Sequence, residues 1–145
     1  MPALTKENKK GRKELREYVA RAEILGHIPE FPIRVVFADE SKMEGNFASC
    51  ELKGKGAKRH FEIAFDDKLM TTPHGRDFAI CTLPHELAHV HTWSSSKKVE
   101  QSRQKKYGDH GPDFGVMYAQ LWTDLMEGPC IAAEREKEDD CVGRI

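Results

Sequence analysis

The five residues His85-Glu86-Leu87-Ala88-His89 restrict what this chain can fold into more than any other stretch. On an α-helix, residues four apart stand one turn above each other on the same face, so His85 and His89 can offer their ring nitrogens to one metal ion. Glu86, beside the first of them, can lean its carboxylate toward the same ion and exchange a proton with water bound there. The bland alternative is an amphipathic helix with both imidazoles and Glu86 in solvent. Leu83, Leu87, Ala88 and Val90 argue against it. A stretch this apolar is buried, and buried His and Glu side chains need partners. The spacing therefore calls for a helix packed into a core with one polar stripe turned toward a site, and for a third ligand from elsewhere.

A chain of 145 residues, 39% hydrophobic and 32% charged, suits one domain around one core. Residues 1–129 read as that domain, and 130–145 as an acidic tail, partly disordered, carrying Glu134, Glu136, Glu138, Asp139 and Asp140. The start, Met1-Pro2-Ala3-Leu4, runs into lysines with no apolar signal region, and no apolar run is long enough to span a membrane. A cytoplasmic protein without a membrane partner is expected. Cys50, Cys81, Cys130 and Cys141 form no C-x-x-C pair, which leaves a zinc ribbon or a disulfide framework unsupported. Cys50 and Cys81 read as small core residues. Residues 1–110 carry 20 Lys+Arg against 16 Asp+Glu, whereas residues 111–145 carry 3 against 8. The weakly basic body permits a weak DNA contact; an ordinary solvated surface has the same composition.

Along the chain, Leu15, Tyr18, Val19, Ala22 and Leu25 recur at helical spacing and predict a helix over 7–25, with Thr5 as N-cap and Gly26 as stop. Ile33–Phe37 and Phe47–Leu52 read as strands, the second weaker. His60–Phe65 alternates, with Phe61, Ile63 and Phe65 on one face and His60, Glu62 and Ala64 on the other. The glycine-rich basic loop 53–59 joins the last two as a hairpin. Thr71–Gly75 reads as a turn and 77–94 as a helix kinked at Pro84, followed by a polar connection over 97–109. Phe114, Met117, Tyr118, Leu121, Trp122 and Leu125 predict a last helix over 112–127, opened by Pro112 and Asp113. The expected fold is α+β: an N-terminal helix, a three-stranded, mostly antiparallel sheet, the motif helix and a C-terminal helix.

A catalytic metal usually takes three protein ligands and keeps one position open. Beyond the motif the candidates are His91, Glu100, Asp109, His110 and Asp113. His91 is two residues past His89, on roughly the opposite side of the helix. Glu100 lies in a polar stretch. His110 is favoured because it stands at the entry to a helix whose apolar face must pack on the core. The pair His85-Glu86-Leu87-Ala88-His89 and His110-Gly111-Pro112-Asp113-Phe114 resembles the SprT-like zinc metallopeptidases, the family that includes the protease domain of Spartan. The likeness covers roughly residues 7–127. It implies a minimal zincin-like fold, one Zn2+ held by His85, His89 and His110, and Glu86 as general acid/base. The chain departs from many such proteins in lacking cysteine pairs for a C-terminal zinc ribbon.

The function expected is hydrolysis of peptide bonds in a protein or peptide substrate, through a zinc-activated water with Glu86 moving the proton. Tyr107, Tyr118 and His91 are candidates for stabilising the transition state. By resemblance to zincins, the strand His60, Phe61, Glu62, Ile63, Ala64 and Phe65 is expected to bind substrate as an added strand. The competing expectation is a DNA-associated or protein-binding module that keeps zinc and has little proteolysis. Its contacts would come from the basic residues of 9–16, 53–59 and 97–106.

Overall fold

In a computed structural model, residues 6–94, 97–108 and 110–127 are described. Helix α1 spans Lys6–Ile24 and buries Leu15, Val19 and Ala22, three members of its expected stripe, with Tyr18 half-buried. Its end is set by Gly26 at φ +100°: the Gly26 N–H donates to Glu23 O and the His27 N–H to Ala22 O, each at 3.0 Å. This closes the last turn in a left-handed cap that glycine adopts without strain. Leu25, expected on the stripe, falls in this cap and is exposed. Thr5 and the tail 130–145 lie outside the described residues.

The sheet contains β1 (Ile33–Ala38), β2 (Ala48–Lys53) and β3 (His60–Asp66) in the order β1-β3-β2. The β2–β3 hairpin is antiparallel, and it folds β3 back between the other two. Two chain reversals therefore bring β3 parallel to β1, and the sheet is mixed where mostly antiparallel pairing was expected. One face carries three rows: Ile33, Phe61 and Leu52; Val35, Ile63 and Cys50; Phe37, Phe65 and Ala48. Phe61, Ile63 and Phe65 at the centre are buried, and the flanking members pack against the same core. The alternation read from the sequence holds because a pleated strand sends every second side chain to the helices.

Helix α2 spans Pro73–Thr92 and runs unbroken through the buried Pro84. It starts inside the expected turn: Thr72 Oγ1 accepts from the Gly75 N–H at 3.0 Å, and Pro73 occupies the first turn, where its missing N–H is no loss. Gly75 permits a close approach there, since a Cβ would lie 2.4 Å from Leu69 O. Leu83, Leu87 and Ala88 are wholly buried, whereas Phe78 and Cys81 face outward. The expectation of Cys81 in the core fails because the helical period turns that position away from the sheet.

The stretch expected as a polar connection contains helix α3, Lys97–Tyr107. It has no Gly or Pro, and Lys, Glu, Gln and Arg keep rotamer freedom in a helix, so it winds without an apolar stripe. Helix α4, Pro112–Trp122, packs on α2, buries Phe114 and Leu121, and continues into a wider turn, Thr123–Glu127, that buries Leu125. No helix among the described residues is long and apolar enough to cross a membrane.

Candidate metal centre and cleft

Helix α2 lays His85 and His89 one turn apart with ring centroids 4.9 Å from each other. His110, in the residue pair before α4, closes the triangle at 5.1 Å from His85 and 4.9 Å from His89. Phe114, buried in the first turn of α4, supports all three rings at 4.6 to 5.2 Å. One nitrogen from each imidazole lies within 4.8 Å of the others. The His85 and His110 Nε2 atoms stand 3.1 Å apart. Such a convergence of lone pairs suits a cation bound by three imidazoles.

Glu86 is buried beside this triangle, with Oε1 3.1 Å from His85 Nδ1. A proton on Nδ1 donates to that oxygen and leaves Nε2 free as a metal ligand, the arrangement by which a carboxylate orients a ligating histidine. Burial raises the Glu86 carboxyl above its ordinary value, against the lowering effect of the His85 hydrogen bond and of the His85 and His110 charges. The Cys50 thiol across from it is pushed up to about 12 by burial and by the nearby Glu86 and Glu51 carboxylates.

The site opens into a cleft of about 380 Å³. One wall is β2, with Ala48, Ser49, Cys50 and Leu52; the other is α3, with Glu100, Arg103 and Gln104. Trp93 and Phe61 close one end, their rings edge to face at 5.6 Å. The Arg59 guanidinium lies 5.9 Å from the Trp93 ring centroid.

Of the proposed third ligands, His110 reaches the triangle. Glu100 and Asp113 are engaged by Arg103, and Asp109 lies outside the described residues. Tyr118 is beside the site, its ring 6.0 Å from that of His85. The Tyr107 side chain lies outside the described residues. His91 is displaced from the role expected of it: its ring packs 5.8 Å from His27 behind the helix, and it does not line the cleft. Burial, and then His27, lower its pKa to about 4. The strand 60–65 also loses its expected role. β3 is paired on both sides and has no free backbone edge for a substrate; the edge on the cleft is β2. The sequence did not single out Trp93, and it marked Arg103 only as one of the basic residues of 97–106. The Glu100/Arg103 spacing of three, in a run free of Gly and Pro, was the available signal for the second.

Fold and site together define a small zincin-like α+β protein with a candidate metal centre on its motif helix. The sequence matches the model of the SprT-like family over residues 13–132, and the chain belongs to that family, whose known nature is that of zinc metallopeptidases. No curated protein and no solved structure matches the chain closely enough to count as a relative.

Proposed function

We propose that the protein is a zinc endopeptidase acting on extended segments of protein substrates. Three imidazole nitrogens within 4.8 Å of one another, beside a buried carboxylate, carry this reading. His85, His89 and His110 would hold the ion, which when bound supplies Lewis-acid activation of water and of a carbonyl. Glu86 Oε1 is engaged by His85, so Oε2 is the atom that takes the proton of the attacking water and later delivers it to the departing amine. A carboxyl raised by burial suits both halves of that transfer. The free edge of β2 binds the substrate backbone as an added strand. Leu52, Phe61 and Trp93 receive an apolar side chain at one end of the cleft. Tyr118, beside His85, is the described candidate for stabilising the developing oxyanion.

The test is bound metal and hydrolysis of casein by the wild type, Glu86→Gln and His110→Ala. One zinc per chain in the wild type and in Glu86→Gln, with hydrolysis down about 10²- to 10⁴-fold in the latter, is the expected result. His110→Ala should lose both metal and activity. A wild type that takes up no zinc on supplementation overturns the proposal, and one that binds zinc without cleaving any protein restricts it to a zinc-binding module.

A further inference from the structure

We infer that Arg103 is a positioning residue for the metal centre: its guanidinium locks together the two chain segments that carry His89 and His110. The inference rests on the proposed centre, and it concerns how that centre is held. Arg103 Nη1 donates to the backbone carbonyl of Thr92 and to Asp113 Oδ2, the latter at 3.0 Å. Thr92 is three residues beyond His89 and Asp113 three residues beyond His110, so one nitrogen joins the turn after each ligand. Nη2 donates to both carboxylate oxygens of Glu100 at 2.9 and 3.0 Å. Glu100 Oε1 in turn accepts from the Ser94 N–H at 2.6 Å, just past the end of α2. Asp113 Oδ1 accepts from the N–H of Phe114, the residue on which the three imidazoles rest.

Three elements that share no continuous hydrogen-bond ladder thus meet on one planar fork. Among the described residues α3 contributes no buried side chain; Glu100 and Arg103, half-buried, are what it turns inward. A helix docked this way derives little stability from apolar burial, but a guanidinium whose two terminal nitrogens each serve two acceptors fixes direction as well as distance. His110 needs such fixing. It is exposed and stands outside α4, so its own neighbours in sequence leave its position open, unlike His85 and His89, which α2 holds rigidly. A displacement of α4 by an ångström would spoil a three-nitrogen site while leaving the core packed.

The test compares zinc affinity, measured by chelator competition, in the full-length wild type, Arg103→Gln, Asp113→Asn and the double variant. The visible spectrum of the Co2+-loaded proteins reports ligand geometry independently of activity. Unfolding of the metal-free proteins separates folding from positioning. Each single variant should bind zinc about 10- to 100-fold more weakly, the loss usual when a group orienting a ligand is removed. The double variant should be little weaker than Arg103→Gln, because both changes cut the same link. Arg103→Lys should not restore affinity, since one ammonium cannot span the four acceptor atoms that two guanidinium nitrogens serve. The Co2+ spectrum should change in each. If Arg103→Gln fails to fold, Asp113→Asn decides, because it removes the charge and one of the two acceptor oxygens on the α4 side, so that the bonds to Arg103 and to the Phe114 N–H cannot both be kept, and leaves Glu100 and Thr92 bound. Zinc affinity within about twofold of wild type in the folded variants, or losses that simply add, overturns the clamp. A wild type without zinc affinity instead overturns the centre, and the clamp with it.

Discussion

His85 and His110 are separated by 25 positions in the chain, yet their Nε2 atoms lie 3.1 Å apart. One comes from helix α2 and the other from the loop between α3 and α4, so a bound cation ties α2 to the start of α4. Anything that binds the folded chain alone stabilises it by mass action, about 2.7 kcal/mol at a free concentration a hundred times Kd. Chelation should therefore lower the Tm of the zinc-loaded wild type, and readdition of zinc should restore it. The same treatment should leave the Tm of His110→Ala unmoved in differential scanning calorimetry.

Leu87 sits inside the motif, wholly buried, with its side chain in the core and none of the ligating atoms. Leu87→Ala should destabilise the fold by about 2–5 kcal/mol through lost burial and the cavity left behind. Denaturant unfolding of the metal-free protein measures this. An effect below about 1 kcal/mol would contradict the packing described for α2.

Cys50 faces the cleft with its pKa pushed from 9.0 up to about 12. The folded thiol stays protonated where the unfolded one ionises, so folding holds a proton that unfolding releases. That contribution to stability is complete below pH 9 and is lost as pH rises from 9 toward 12. Cys50→Ala should remove this part of the alkaline slope in unfolding experiments. At pH 8 the exposed Cys81 should be alkylated before Cys50, as peptide mass mapping would register.

Substrate held along the β2 edge relies on backbone N–H and C=O groups. N-methylation of one in-register amide of a peptide substrate removes a hydrogen bond of about 0.5–1.5 kcal/mol, raising KM roughly two- to tenfold. Methylation of the neighbouring amide, which points away from the edge, should have little effect, and alternation along the peptide is the signature to look for. Equal effects at successive positions would exclude strand addition.

Gly75 lies where α2 crosses the carbonyl of Leu69, with 2.4 Å available to a Cβ. Backbone cannot step aside as a side-chain tip can, so Gly75→Ala should cost about 1–3 kcal/mol of stability. Thermal unfolding reads it directly, against Gly115→Ala, which meets nothing within 4 Å.

Much of the site was legible in the sequence because its signals are local. The spacing of His85 and His89 places both on one helical face, and the apolar run around them announces burial. His110 could be singled out because the stripe from Phe114 to Leu125 marks a packed helix directly after it. What escaped notice depended on pairing across the chain. The run 60–65 alternates as well as any strand, but alternation does not distinguish a central strand from an edge. Residues 97–107 have no apolar period, and where this helix docks is set by contacts with distant segments, among them the bonds Arg103 makes to Thr92 and Asp113.

The sequence by itself determined the elements other than α3, the apolar faces of the helices and of β3, and the two motif histidines with Glu86, since helical and pleated periods follow from neighbouring residues alone. Tertiary structure alone decided that β3 lies between β1 and β2, that β2 is the edge strand on the cleft among the described residues, that His91 turns to His27, and that Arg103 of α3 bonds to Thr92 at the end of α2 and to Asp113 at the start of α4. Those outcomes arise from contacts between distant segments, where register and hydrogen-bond partners are chosen by packing of the whole chain.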